Sequence, residues 1–220
     1  MNAEAAPRPR RRWWLRWPVL AAVLFVGLIP LGLILGRAAG YKPFHIPAEA
    51  MEPTLKKGDR IIALMRAPAE LKRGDLILFD GPDGSLYLKR LAGLPGDRIA
   101  MDQGIVVVNG RRVEQELTGE GLVENGPFRE KAQILTERFD GEAKPHRIFD
   151  TGFIPNLDDF EEMLVAPGHV FLLGDNRDVS ADSRVSPENM GLGQVPISSI
   201  RGKALFHSWG SSRGLGEPVH

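Results

Sequence analysis

The sequence predicts a mainly β domain that follows a single apolar helix near the N-terminus. Residues 17–35 hold no charged side chain, which is typical of a helix buried in an apolar environment. After residue 37, short runs of Ile, Val and Leu alternate with turn residues at strand lengths. No long amphipathic period precedes residue 115. Short strands in a compact chain predict a barrel or a sandwich.

The N-terminal region combines a basic cluster with an apolar run of membrane length. As a helix, residues 17–35 would rise roughly 28 Å, close to the thickness of a bilayer core. We therefore predict a basic cytoplasmic N-terminus over 1–16 and a transmembrane anchor over 17–36. A cleaved secretory signal ending at "GRAAG" is the alternative, but the run exceeds the usual apolar region of such signals. The basic and interfacial aromatic side chains are Arg8, Arg10, Arg11, Arg12, Arg16, Trp13, Trp14 and Trp17.

Six segments beyond the anchor have the composition of β-strands. Asn109-Gly110 divides one of them and predicts a type I′ hairpin turn, because both turn residues tolerate positive φ. The sequences Gly-Pro-Asp-Gly at 81–84 and Leu-Pro-Gly-Asp at 94–97 predict two further turns. The six predicted strand segments are 59–64, 75–80, 86–93, 104–115, 168–176 and 201–209.

Residues 116–166 differ from the rest because they are polar, charged and interrupted by Gly and Pro. We predict an insertion or a second small β subdomain there, with a weak strand at 132–139. Residues 161–165 fit a short helix or a strand equally well. The β core then comprises 37–115 and 167–209, and 210–220 is predicted to be a flexible tail.

Composition excludes several classes of function. The chain has 28 basic and 28 acidic residues, and this neutrality argues against a nucleic-acid-binding protein. The absence of cysteine excludes disulfides, thiolate metal sites and a cysteine nucleophile. The five histidines are scattered without metal-ligand spacing. We predict neither a metal nor an organic cofactor.

Lys89 lies within the apolar segment "LYLKRL" and has two interpretations. A lysine on a half-exposed strand ordinarily points to solvent. A lysine held in an apolar cleft instead has a lowered pKa, because burial disfavours the ammonium, and its neutral amine can act as a general base. Pairs of serine and lysine are a known variant of the serine hydrolase site.

Four motifs in order distinguish between these interpretations. They are "IPAEAMEPTLKKGD" (46–59), "KRGDLILF" (72–79), "KRLAGLPGDRI" (89–99) and "GDNRDVSADSR" (174–184). Together with the predicted anchor, they make the chain resemble the bacterial type I signal peptidases, membrane-bound endopeptidases that use a serine and a lysine. The resemblance covers about residues 42–205. It implies a β-rich catalytic domain with a second β region inserted before the Gly-Asp-Asn motif.

The resemblance also implies roles for individual residues. Lys89 matches the family's general base, and Ser180 matches the hydroxyl that orients its amine. Asp182 and Arg184 match an ion pair that shapes the site. The other matching positions are Met51, Pro53, Thr54 and Leu55 of the nucleophile motif and the structural charges Arg90 and Asp175.

This sequence departs from the family at the nucleophile. Ala50 occupies the position of the attacking serine, and Ala48 occupies a position that often supplies a hydroxyl to the oxyanion hole. A methyl group cannot attack a carbonyl, so the chain as written is expected to be inactive. Either Ala50 replaces the serine of an active enzyme, or it belongs to a paralogue that retains the scaffold. The other side chains considered as nucleophile or catalytic carboxylate, none of them favoured, are Thr54, Ser85, Ser183, Glu49 and Glu52.

The function implied by the resemblance is removal of signal peptides from exported preproteins, with small side chains preferred at the first and third positions before the cut. The expected partners are signal peptides, the lipid bilayer and, as an option, the protein-export machinery. The expected location is the bacterial inner membrane, with the N-terminus cytoplasmic and the catalytic domain extracytoplasmic. Two alternatives stay open: a non-catalytic binding protein for signal peptides or other partners, and a processing peptidase of a conjugation system.

Overall fold

The computed structural model describes residues 16–125, 128–208 and 214–219. The chain divides into two compact units, Met1–Tyr41 and Lys42–His220. In the first unit, helix α1 spans Arg16–Ala38 and contains Pro30. Its described apolar side chains, such as Phe25 and Leu33, are mostly exposed.

The helix forms where the sequence predicted a transmembrane anchor. Over the described residues, however, the structure contains no helix that is both long enough and apolar enough to cross a membrane. The predicted anchor is therefore not supported by the structure. Arg8, Arg10–Arg12, Trp13 and Trp14, on which part of that prediction rested, lie outside the described residues.

The largest sheet has seven strands in the order β1-β2-β14-β3-β4-β12-β13. Its central strands carry alternating or continuous apolar residues because both faces of the sheet are covered. The strands are β1 (Tyr41–His45), β2 (Arg60–Leu64), β3 (Leu76–Asp80), β4 (Leu86–Gly93), β12 (His169–Leu173), β13 (Val195–Pro196) and β14 (Ile200–His207). Short 3₁₀ helices at Pro187–Asn189 and Ile197–Ser199 flank β13.

Two smaller sheets are formed by the middle of the chain. A four-stranded sheet has the order β11-β5-β6-β7, and a three-stranded sheet has the order β10-β9-β8. Their strands are β5 (Arg98–Asp102), β6 (Ile105–Val108), β7 (Arg111–Arg112), β8 (Glu114–Asn125), β9 (Phe128–Arg138), β10 (His146–Asp150) and β11 (Phe160–Leu164).

The mainly β prediction is confirmed, and each of the six predicted strand segments contains a strand. Asn109 and Gly110 both have positive φ between β6 and β7, as the predicted turn requires. The ambiguous segment 161–165 proves to be strand rather than helix, because it pairs antiparallel with β5. The weak strand predicted at 132–139 overlaps β9, whereas β8 was not predicted, because its polar composition gives little alternation.

The final residues contact β14 over the described range 214–219. The backbone N–H of His207 donates to the carbonyl of Glu217 at 2.7 Å, and the N–H of Val219 donates to the carbonyl of Leu205 at 3.0 Å. The tail predicted to be flexible over 210–220 is thus bonded to the sheet in this range. Its composition could not reveal this pairing, because backbone groups of any residue can make it.

Strand β4 positions the residues of interest. It lies between β3 and β12, with Ile77 opposite Lys89, and with Leu76 and Leu173 opposite Arg90. This central position places both cationic residues inside the sheet, where apolar clusters pack on either side. The sheet therefore buries two adjacent basic side chains, and each needs a specific environment.

Candidate active site

An apolar cleft of about 450 Å³ opens over the end of β4. Six of the side chains that line it are Phe44, Ile61, Leu78, Tyr87, Leu88 and Val179. Both Lys89 and Ala50 line the same cleft, as does Ala48. The structure thus brings together the base, nucleophile and oxyanion positions expected from the sequence, although about 40 residues separate them along the chain.

The amine of Lys89 lies in this cleft and contacts a hydroxyl. Its side chain is almost completely buried, with 4% of the residue exposed. Its Nζ donates to Ser180 Oγ at 2.5 Å. Burial lowers the pKa of Lys89, and the charge of Arg184 acts in the same direction, whereas Asp182 and Asp175 act against them. Of the two interpretations from the sequence, the buried lysine is the one observed.

Asp182 and Arg184 form a buried pair close to Lys89. Arg184 Nε donates to Asp182 Oδ1 at 3.0 Å, and its Nη2 donates to Asp182 Oδ2 at 2.9 Å. Asp182 Oδ2 also accepts the backbone N–H of Gly174 at 3.0 Å. The carboxylate is bonded to the guanidinium and the backbone, and its charge acts on Lys89 without an ion pair between them. The pair expected from the sequence is present and holds the loop that carries Ser180.

The segment that carries Ala50 is held against the 174–176 turn. The backbone N–H of Asn176 donates to the carbonyl of Ala50 at 3.1 Å, and its side-chain Nδ2 donates to the carbonyl of Glu49 at 3.2 Å. Met51 is buried in the core next to Leu55. Asn176 was not singled out by sequence reasoning, although its place in the Gly-Asp-Asn motif was a usable signal.

Gly174 permits this close approach. A Cβ atom at position 174 would lie 2.1 Å from Ser180 Oγ and 2.7 Å from the carbonyl oxygen of Ala50. Both distances are far below van der Waals contact, so a side chain there would push Ser180 and Ala50 apart. The absence of a Cβ at this position therefore keeps the hydroxyl, the amine of Lys89 and the 49–50 segment in one place.

We expect Gly174→Ala to destabilise the fold by about 1–3 kcal/mol, as overpacking of a tight core does. Gly119→Ala is the matched control, because a Cβ there has its nearest neighbour at 3.9 Å, the Cδ1 of Ile134. Chemical denaturation of both variants measures the difference. Equal free energies of unfolding for the two variants would contradict the steric role of Gly174.

Arg90 and Asp175 form a second buried ion pair beneath the site, and both residues are 1% exposed. Arg90 Nε and Nη2 donate to the two carboxylate oxygens of Asp175 at 2.7 and 2.6 Å. Arg90 Nη1 donates to the carbonyl of Gly74 at 2.8 Å. Thr54 contacts the same guanidinium at 3.4 Å, which ties the nucleophile motif to β4. The structural role expected for Arg90 and Asp175 agrees with this geometry.

The buried charges extend beyond those expected from the sequence. His146 lies between two carboxylates, with Nδ1 3.0 Å from Glu142 and Nε2 3.2 Å from Glu137. Glu137 also accepts a hydrogen bond from Arg177. Burial raises the pKa of Glu137, but the charges of Arg177 and His146 more than offset this and hold the pKa below its usual range. Glu137, Glu142 and His146 are close in sequence but belong to none of the four motifs, and Arg177, which does, is 40 residues from Glu137, so the sequence did not indicate that the four meet.

The structure also places the alternative nucleophiles and the two carboxylates. Thr54 is buried and donates to the carbonyl of Arg147 at 3.3 Å, while Ser183 Oγ accepts the N–H of Leu172 at 2.9 Å. Ser85 is exposed and lines the cleft. Glu49 forms an ion pair with Lys57 at 2.6 Å. Glu52 accepts the N–H of Lys57 at 3.3 Å, so both carboxylates interact within their own loop.

Over the part of the chain that the structure describes, no group of three His, Asp or Glu side chains is placed to hold a metal ion. The polar side chains that line the cleft are His45, Ser85, Tyr87 and Lys89, and the amine of Lys89 in turn contacts Ser180 Oγ. A buried amine in an apolar cleft, with a hydroxyl at hydrogen-bond distance, is the arrangement expected of a hydrolase that uses lysine as its base.

Comparison with known proteins identifies the family. The sequence model described as "Signal peptidase, peptidase S26" matches residues 14–209, so this chain belongs to the signal peptidase family. It is 29% identical over 196 residues to signal peptidase I of Bacillus licheniformis, covering 88% of this chain and 86% of that protein. It is 31% identical to signal peptidase I of Bacillus caldolyticus, covering 88% and 90% of the two chains.

Two further relatives are more distant. Signal peptidase IB of Staphylococcus aureus is 27% identical, with 89% of each chain covered. A crystal structure of a signal peptidase I from Enterococcus faecalis V583 is 23% identical and covers 61% of this chain and 96% of its own. Its TM-score of 0.35 is too low to add to the family assignment.

Proposed function

We propose that this chain has the cleft of a signal peptidase I and binds the signal peptides of exported preproteins there. The observation that carries the proposal is the buried amine of Lys89, 2.5 Å from Ser180 Oγ, in a cleft that Ala50 also lines. In this proposal Lys89 is the general base, Ser180 orients it, and position 50 is where a serine would attack the scissile carbonyl. Arg90, Asp175, Asp182 and Arg184 support the site.

The reaction proposed for a serine at position 50 is acyl transfer followed by hydrolysis. The amine of Lys89 would take the hydroxyl proton as the oxygen attacks and give it to the leaving amine as the C–N bond breaks. It would then take a proton from the hydrolytic water and return it to the serine oxygen as the acyl bond breaks. The shallow apolar walls at Ala48, Ile61 and Leu78 would favour small side chains next to the cut, because larger ones would collide with them. No metal or organic cofactor is needed for these steps.

Ala50 favours a second candidate function for the chain as written. An intact cleft without a nucleophile would bind a signal peptide or another extended partner without cutting it. With alanine at position 50, the cleft is present and Lys89 is buried. A processing peptidase with one dedicated substrate, as in conjugation systems, is a narrower form of the first candidate.

We further propose that the protein acts at a membrane surface, as signal peptidases generally do. The uncharged stretch 17–35 supports this, as do the exposed apolar side chains of α1, which would otherwise face water. The orientation, with the N-terminus cytoplasmic and the catalytic domain extracytoplasmic, is a prediction from the arginine cluster. Protease protection of sealed inner-membrane vesicles would measure it.

A paired assay tests the proposed function. The full chain and its Ala50→Ser variant are purified in detergent and mixed with a preprotein that carries a small-x-small site. Cleavage by Ala50→Ser alone supports a signal peptidase site that lacks only its nucleophile. Binding by both without cleavage supports the second candidate. Absence of both binding and cleavage would overturn both candidates, and cleavage by the unaltered chain would overturn the assignment of position 50.

A further inference from the structure

In a chain with alanine at position 50, Lys89 has no serine there to deprotonate. Among the described residues, its amine contacts the neutral hydroxyl of Ser180, and no carboxylate lies within ion-pair distance of it. The two nearby carboxylates are bound elsewhere, Asp182 to Arg184 and Asp175 to Arg90. Burial lowers the pKa of this amine and so favours its neutral form, and a neutral amine is also a nucleophile.

The surroundings of the amine decide what it can attack. The cleft is apolar, so it excludes charged ligands and accepts apolar ones. Attack on a peptide amide would require the amine to expel a poor leaving group. Attack on an aldehyde or ketone needs only the loss of water, and the product is a neutral imine that suits an apolar site.

We propose that Lys89 captures apolar aldehydes in this cleft as a reversible imine. The Nζ lone pair forms a bond to the carbonyl carbon while the carbonyl π bond opens onto oxygen. The two amine hydrogens leave with that oxygen as one molecule of water, and the C=N bond remains. Ser180 Oγ, at 2.5 Å from Nζ, is placed to pass one of these protons to the departing oxygen.

Two features make the capture selective for this lysine. Burial lowers the pKa of Lys89, so a larger fraction of this amine is neutral near pH 8 than of an exposed lysine. Transfer of the apolar aldehyde from water into the cleft is also favourable in free energy. An exposed lysine offers no apolar site for such a transfer. Lys56 is the comparison lysine, because it is exposed to solvent.

The test uses the full unaltered chain in detergent, cinnamaldehyde as the apolar probe and cyanoborohydride to reduce any imine. Peptide mass spectrometry then compares modification at Lys89 and Lys56. At pH 8 we expect Lys89 to be modified about tenfold faster than Lys56, because its lowered pKa leaves more of its amine neutral and the apolar cleft concentrates the probe. Lys89→Met should lose this fast modification while Lys56 is modified as before.

Two controls separate the cleft from the amine itself. In denaturant, Lys89 should react no faster than Lys56, and a fast reaction there would overturn the role of the fold. Glyoxylate, a charged aldehyde, should show a smaller preference for Lys89 than cinnamaldehyde does, and an equal preference would overturn the apolar specificity. A folded chain in which Lys89 reacts no faster than Lys56 with cinnamaldehyde would overturn the proposal. None of these readouts depends on peptide cleavage, so they are independent of the proposed signal peptidase function.

Discussion

Replacing Ala50 by serine is expected to raise preprotein cleavage by about 10⁶-fold, the factor that removal of a serine nucleophile typically costs. The physical reason is that the other proposed parts of the site are already in place. Lys89 and Ser180 are 2.5 Å apart, and Asn176 holds the 49–50 segment beside them. Serine differs from alanine by one hydroxyl group, so the substitution adds little volume to the cleft.

The matched control is the double variant Ala50→Ser, Lys89→Met. It keeps the hydroxyl and an apolar side chain of similar length but removes the base, so we expect it to bind the preprotein and not cleave it. If the double variant cleaves as fast as Ala50→Ser, Lys89 is not the base. Binding is measured separately, so a folding defect is distinguished from a loss of chemistry.

The pH dependence of Ala50→Ser gives an independent measurement. A protonated amine cannot accept a proton, so kcat/KM is expected to rise with pH and level off above the pKa of Lys89. Because burial lowers this pKa, the rise should be complete below the ordinary lysine value of about 10.4. A rise that continues through pH 10.4 would contradict a buried neutral base.

Breaking the Arg90–Asp175 pair is expected to have the largest effect on stability. Asp175→Asn removes the negative charge and leaves the guanidinium of Arg90 buried, at 1% exposure, without its bidentate partner. Such a change costs about 3–5 kcal/mol, although Glu142, 3.7 Å from Arg90, is expected to moderate it. Urea denaturation near neutral pH measures the difference in free energy of unfolding.

The control is the exposed pair Arg129–Glu124, at 2.7 Å with side chains 70% and 51% exposed. Glu124→Gln removes the same kind of charge in water, and the expected cost is about 0–1 kcal/mol. If Asp175→Asn and Glu124→Gln lower the free energy of unfolding by similar amounts, burial does not increase the contribution of Asp175 to stability.

Lowering the pH should reduce the difference in free energy of unfolding between the unaltered chain and Asp175→Asn. Burial raises the pKa of Asp175, but the charge of Arg90 more than offsets this and holds the pKa below its ordinary value. A carboxyl group whose pKa is lowered by folding stabilises the fold at any pH above its pKa in the unfolded chain, about 3.9. This contribution is lost as the pH falls through its lower pKa in the folded chain. A difference that stays constant below pH 4 would contradict this linkage.

Much of the fold could be predicted from local patterns. Runs such as "DLILF" and "LYLKRLAG" predicted strands of the central sheet, and Asn109-Gly110 predicted a hairpin turn. These predictions succeed because strand composition and turn conformation depend on nearby residues. The β8–β9 hairpin was harder to predict because its polar strands depend on pairing with each other. The anchor predicted from the uncharged run was not supported over the described residues.

The sequence alone determined the family and the chemical content of the candidate site: a lysine in an apolar strand, a serine in the "GDNRDVSADSR" motif, and alanine at position 50, the proposed nucleophile position. The tertiary structure alone decided that Lys89 is buried rather than solvated, because burial depends on β3, β12 and the 174–184 loop packing around β4. It also decided which charges meet, since Arg90 with Asp175 and His146 with Glu137 and Glu142 are joined by folding. Local sequence records which groups are present, whereas their pKa values and contacts arise only when distant segments exclude water together.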